Sequence, residues 1–345
     1  MEQEIIDLRS DVKTLPTKEM LEAIREAQMG DAKTGEDPTV NRLETMAAEM
    51  FGKEAALLLI SGTMANLTAM MAHITPGNSY AVDAEAHVYF YENAHSAVAG
   101  TKPIIFRSVN GLIEPEEVKK TIEESGKKPG LLWLENTHNR GGGRVIPVGT
   151  QRKFFDMAKN RGMKIHVDGA RIFNASVASQ VPVSEYGKYV DSIMFCLSKS
   201  LCCPLGSVLC GDADFIERAR GFMGMFGGGM RQAGVIAAPG IVALTTMIER
   251  LKEDHMLARK LAEKVREIPG LSVEMETVET NMVAVDFDRS AHCLEDWTEK
   301  FKEQGVLVSS YSPSKIRMVT HRHHNAEIIE EAARRIKTAA EKLCG

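Results

Sequence analysis

A mostly parallel α/β sheet followed by a smaller α+β domain is the fold that the sequence predicts, and three observations predict it. Seven short apolar runs lie between positions 55 and 211, and most of the segments between them carry apolar residues at three and four spacing. Strand and helix alternating in this way describe a parallel sheet covered by helices. Beyond about position 250 the pattern changes to long helical segments with fewer strands, and 345 residues at 44% hydrophobic content leave room for a second core.

In chain order the strand candidates are 55–60 (AALLLI), 79–84 (SYAVDA), 102–106 (KPIIF), 131–135 (LLWLE), 164–168 (KIHVD), 192–198 (SIMFCLS) and 206–211 (GSVLCG). Segment 151–161 shows the helical spacing between them. After Gly240 one long helix through Glu267 is expected, stopped by Pro269 and Gly270. Strand candidates 271–276, 282–287 and 316–320 follow. A closing helix opens at Asn325 as N-cap and puts Ile328, Ile329, Ala332, Ala333, Ile336, Ala340 and Leu343 on one face. The expected division is a large domain over 1–250 and a small one over 251–345.

A net charge of −5 and the absence of any long Lys/Arg cluster leave no electrostatic footprint for nucleic acid or an anionic membrane. A small-molecule partner is expected instead. The start, MEQEIIDLRSD, has no basic leader with an apolar core, and the apolar run near 235–244 is broken by Pro239-Gly240, so a cytoplasmic chain without a membrane span is expected. The six cysteines form no C-x-x-C pair and are read as reduced, mostly buried thiols, with no metal site. The HRHH cluster at 321–324 is read as solvated surface before the last helix.

Three features carry chemistry. Lys199 is a lone ammonium in an otherwise apolar stretch, 192–211, and a desolvated amine is a nucleophile that condenses with aldehydes. The alternative is a strand-end lysine with a buried stem and a hydrated head. Asp168 closes a buried parallel strand at the edge where ligands bind in open α/β sheets, and a carboxylate there can keep a pyridine nitrogen protonated; it could equally cap the next helix. Ser61-Gly62-Thr63 joins a strand to a helix start whose free N–H groups suit a phosphate, or is an ordinary N-cap.

The segments DLRSD, GEDPTVNRLE, SGTMANL, ENTHN, HVDGARIFNA, FCLSKSL, PLGSVLCG, GGGMRQAG and IRMVTH resemble, in order and over nearly the whole chain, the threonine aldolases. That family has the fold type I, aspartate aminotransferase-like architecture and uses pyridoxal 5'-phosphate. The resemblance implies a seven-stranded sheet, a smaller carboxy-terminal domain, and a homodimer or homotetramer with sites at the subunit interface. It implies Lys199 as the Schiff-base lysine with Ser198 beside it, Asp168 as partner of the pyridine nitrogen, and Gly62 and Thr63 as phosphate ligands. His87 would stack on the cofactor ring, with Glu92 close by. Ser10, Arg171 and Arg317 would grip the substrate carboxylate, Arg171 also lying against the cofactor. His138 would lie near the substrate hydroxyl, and Arg231 would reach a neighbouring subunit's phosphate.

The sequence departs from the family pattern at Lys33-Thr34, where many members carry a tyrosine, and at Ser200, Cys203 and Leu205. The first departure bears on which β-substituent fits. The reaction implied is retro-aldol cleavage of L-threonine, L-allo-threonine or related β-hydroxy-α-amino acids to glycine and an aldehyde, with His138 or His87 as base. A β-eliminating lyase, racemase or aminotransferase on the same fold is the alternative within enzymes, and a non-catalytic cofactor-binding regulator is the alternative outside them.

Overall fold

A computed structural model describes residues 4–92, 98–288, 292–312 and 314–344. Its strands are β1 (Ile6–Asp7), β2 (Ala55–Leu59), β3 (Ser79–Asp83), β4 (Lys102–Phe106), β5 (Leu131–Glu135), β6 (Lys164–Asp168), β7 (Ser192–Cys196), β8 (Ser207–Gly211), β9 (Leu271–Ser272), β10 (Met282–Phe287), β11 (Val306–Leu307), β12 (Ser309–Ser312) and β13 (Lys315–Val319). The seven apolar runs all become strands of one sheet, in the order β2-β8-β7-β6-β5-β3-β4.

Strand direction follows from the connections. The strands from β3 to β7 are joined by helix-bearing crossovers and run parallel, because a parallel return needs a dozen or more residues. No helix lies between β7 and β8, so β8 turns back antiparallel to β7 and pairs antiparallel with β2 as well. One face of the sheet packs Ile193 and Phe195 against helices, Phe51 at the end of the helix Pro38–Phe51 among them. The other packs Leu57, Tyr80, Trp133 and Met194 under the helix Gly62–His73 and the helix Ala213–Met225.

A second core gathers the antiparallel sheet β12-β13-β10-β9 and the helices Leu251–Val265, Leu294–Glu303 and Ala326–Cys344. The closing helix is capped as expected, Asn325 Oδ1 accepting from Ile328 N–H at 2.8 Å. Ile6 and Leu8 also belong to this core, with β1 pairing in parallel with β11. The expected boundary at 250 therefore does not capture the amino-terminal segment.

Three other expectations need correction. The single helix from Gly240 to Glu267 is two, Gly234–Thr246 and Leu251–Val265, meeting at 70°. The first holds Pro239 inside it and is buried in the large core, whereas the second turns Ala258, Leu261 and Val265 to the small one. One straight rod cannot serve both. Strand 271–276 shrinks to Leu271–Ser272, with a 3-10 turn taking Met275–Thr277. His321 and His324 are buried rather than solvated, their rings 4.0 Å apart, and His321 Nε2 donates to the Asp7 carbonyl. Among the described residues no single helix is long and apolar enough to cross a membrane, and no three or more His, Cys, Asp or Glu side chains cluster as metal ligands. Of the cysteines, Cys196, Cys202, Cys203 and Cys210 are buried and free and Cys293 is exposed; the side chain of Cys344 lies outside those described.

Candidate active site

Three neighbouring parallel strands, β3, β5 and β6, each end in a buried acid: Asp83, Glu135 and Asp168. A buried carboxylate needs partners, and each has found a different set. Asp168 Oδ2 accepts from Asn66 Nδ2 at 2.8 Å and Oδ1 from Ala170 N–H at 3.0 Å. Glu135 accepts two backbone N–H groups, His87 at 2.6 Å and Asn139 at 2.7 Å. Burial pushes its carboxyl up despite those bonds and the nearby histidines. Asp83 faces His138 Nε2 at 2.9 Å.

The helix Gly62–His73 starts above this edge. The Ser61 hydroxyl accepts from Met64 N–H at 3.2 Å and caps the helix. Among the described residues no acceptor meets the N–H groups of Gly62 and Thr63, so they are directed outward as at any helix start. Glycine is required there by space: a Cβ on Gly62 would stand 2.9 Å from Cys196 Sγ.

One turn into the same helix, the Asn66 amide spans Asp168 and Glu92, donating to Glu92 Oε1 at 2.9 Å. His87 Nδ1 donates to that same oxygen at 2.8 Å. His87 is half-buried, and its Nε2 has no hydrogen-bond partner among the described residues. Burial disfavours its charge, but Glu92 and the charges of Asp168 and Glu135 outweigh that and raise its pKa.

Lys199 follows β7 on the loop that leads to β8 and is half-buried. Its carbonyl accepts from Thr14 Oγ1 at 2.8 Å and from Cys202 N–H at 2.8 Å. Ser198 is half-buried next to it. Arg171 is buried and forms a bidentate pair with Asp11, Nε to Oδ2 and Nη2 to Oδ1, both 2.7 Å. Its third nitrogen, Nη1, lies 3.4 Å from Asn139 Oδ1, which Arg317 Nη1 also reaches at 2.9 Å. Two guanidinium groups from the two cores thus converge on one amide oxygen. Ser10 caps the 3-10 turn Asp11–Lys13 next to them.

Two more of the expected residues lie apart from this group of contacts. His138 is fully buried with both ring nitrogens engaged, since Gly141 N–H donates to Nδ1 at 3.0 Å. That N–H leaves Nδ1 no proton to carry, so the ring is the neutral Nε2–H tautomer even though Asp83 favours the charged form against the cost of burial. Arg231 is 57% exposed and pairs with Asp31 at 2.5 Å, on the loop whose Thr34 hydroxyl donates to the Asp31 carbonyl.

Asp11, Asn66, Glu135 and Asn139 were not singled out from sequence. Glu135 had a readable signal, because it ends an apolar strand just as Asp168 does. The other three are polar residues in helix or loop segments that reveal their role only through long-range contacts.

The beta-eliminating lyase family model matches residues 7–288. The chain is 41% identical to the low-specificity L-threonine aldolase 1 of Arabidopsis thaliana over 325 residues, 92% of this chain and 91% of that one. Among solved structures it superposes on a Leishmania major threonine aldolase with a TM-score of 0.83 at 13% identity, covering 98% and 99% of the two chains. A serine palmitoyltransferase determined with its pyridoxal phosphate gives a TM-score of 0.78 at 17% identity, covering 99% and 88%. These similarities show the fold type I architecture.

Proposed function

Because the chain belongs to the beta-eliminating lyase family, we propose that it is a pyridoxal-phosphate-dependent aldehyde-lyase. It cleaves the Cα–Cβ bond of threonine, allo-threonine and related β-hydroxy-α-amino acids to give glycine and an aldehyde. The observation that carries the reading is the grouping at one sheet edge of a strand-end acid, an open helix start, a lone lysine and two converging arginines.

The residues fit the cofactor. Gly62 and Thr63 would hold its phosphate at the unpaired N–H groups, where no Cβ can intrude. Asp168, steadied by Asn66 and Ala170, would keep a proton on the ring nitrogen, His87 would cover the ring, and the Lys199 amine would hold the aldehyde carbon. When bound, the cofactor supplies the electron sink for bond cleavage at Cα.

The chain's own residues do the rest. Arg171 and Arg317 take the substrate carboxylate in place of their shared amide contact, and fixing that group fixes which Cα bond faces the ring. His87 Nε2, the histidine nitrogen left open, takes the β-hydroxyl proton as the Cα–Cβ bond breaks and the aldehyde carbonyl forms. His138 instead braces the 138–141 turn against Asp83. Arg231, exposed and paired with Asp31, is available to a second copy, in keeping with a homodimer or homotetramer.

The test is a product assay on the purified chain with L-threonine and L-allo-threonine. Equimolar glycine and acetaldehyde are expected, lost in Lys199→Ala together with the borohydride-reducible link to the cofactor. Ammonia and an oxo acid instead would show elimination, and reduction onto another lysine would reject Lys199.

A further inference from the structure

Asp11 is a fully buried carboxylate where three segments of the chain meet. Both oxygens are taken by the Nε/Nη2 edge of Arg171 at 2.7 Å. Oδ2 also accepts from Ser200 Oγ at 2.7 Å, the residue after the lysine, and from Asn281 Nδ2 at 3.5 Å. Ser10 Oγ lies 3.5 Å from Oδ1.

The same turn holds the lysine loop a second time. Thr14 Oγ1 lies 2.9 Å from the Asp11 carbonyl and 2.8 Å from the Lys199 carbonyl, its single proton shared between the two. Asn281 extends the network into the small core: its amide also reaches Ser200 Oγ at 3.3 Å and the Thr320 carbonyl at 3.1 Å, and Thr320 follows the strand that carries Arg317.

We propose that Asp11 is a positioning residue for the carboxylate-binding pair: it presets Arg171 and, through Ser200 and Asn281, fixes that guanidinium relative to the Lys199 loop and to the small core bearing Arg317. The inference rests on the reading of Arg171 and Arg317 as substrate ligands. Its physical basis is that an arginine has a long flexible stem, and only an anchored fork offers the same donor each time. With the Nε/Nη2 edge occupied by Asp11, Nη1 is the donor left pointing toward Asn139 and Arg317. Arg171 and Lys199 hold the Asp11 carboxyl well below the usual range in spite of burial, and His321 and Asp254 are the other titratable groups facing it. The charge needed to anchor the fork is therefore present at neutral pH.

The experiment compares Asp11→Asn, Ser200→Ala and Arg171→Gln as cofactor-loaded proteins, reading the glycine dissociation constant by titration, kcat and KM separately, and the melting temperature. Asp11→Asn should weaken glycine at least about tenfold and raise KM more than it lowers kcat. Ser200→Ala should shift glycine affinity the same way by a smaller factor while melting near the wild type. Adding Asp11→Asn to Arg171→Gln should weaken glycine no further.

A lowered melting temperature in Asp11→Asn with wild-type glycine affinity would make Asp11 merely structural and overturn the proposal. If Asp11→Asn does not fold, unchanged glycine affinity in Ser200→Ala overturns it. Wild-type affinity in Arg171→Gln would instead reject the substrate role of Arg171 itself, whatever Asp11→Asn shows.

Discussion

Changing Gly62 to alanine tests whether the helix start at this position holds a phosphate. The added Cβ would lie 2.9 Å from Cys196 Sγ and 3.4 Å from Met194 Cε, against a comfortable contact of about 3.5–4.0 Å. Cys196 is buried and already meets the Ser207 hydroxyl at 3.4 Å, so the first turn of the helix must give way. Overpacking of this kind costs about 1–3 kcal/mol, offset by roughly 0.5–1 kcal/mol from alanine's better helix propensity. Folding stability should therefore fall by about 1 kcal/mol. Cofactor affinity should fall further, because a hydrogen bond to a charged group contributes about 1.5–3 kcal/mol and a shifted first turn misaims the Gly62 and Thr63 N–H groups. The assay is cofactor titration by fluorescence, with Gly62→Ala expected to bind at least about tenfold more weakly. Adding Cys196→Ala removes the obstructing sulfur and should recover most of that loss. Wild-type affinity in Gly62→Ala, or no recovery in the double variant, would refute the reasoning.

Two further outcomes follow from the electrostatics. If His87 is the base it must be neutral to act, and its raised pKa places the acid limb of kcat/KM above the ordinary histidine range. Glu92→Gln removes the bond that supports the charged ring, so that limb should move to lower pH; a limb that stays put would take His87 out of this role. Arg317→Ala should cost about 2 kcal/mol or more in kcat/KM, because a charged hydrogen-bonding partner of the substrate carboxylate is lost. A near-normal kcat/KM would remove it from the site.

The strands of the large sheet were legible because each is a short β-rich run bounded by polar turns, and a strand buried on both faces needs no alternation to be seen. Their directions were not, since β8 reverses for want of a crossover and nothing within its five residues says so. β1 and β11, two residues each, are too short to show a period. The helix break after Thr246 was invisible because helical spacing continues across it while the core being served changes. Lys199 and Asp168 stood out as charges in apolar surroundings. Asp11 did not: in DLRSD it is one of four polar residues, and only its contacts with Arg171, Ser200 and Asn281, far along the chain, set it apart.

The pairing of β1 with β11 also sets an order in time. Ile6 emerges from the ribosome about 300 residues before its partner Val306, an interval of roughly 15–60 s at about 5–20 residues per second. Throughout that wait Ile6 and Leu8 have no small core to enter, although the large sheet is complete by Gly211. Arg317 arrives after Val306, so the last strands made both shelter the first residues and deliver the second arginine. On the proposed reading of the site, a nascent chain has the residues that would hold the cofactor well before it has both arginines that would grip a substrate.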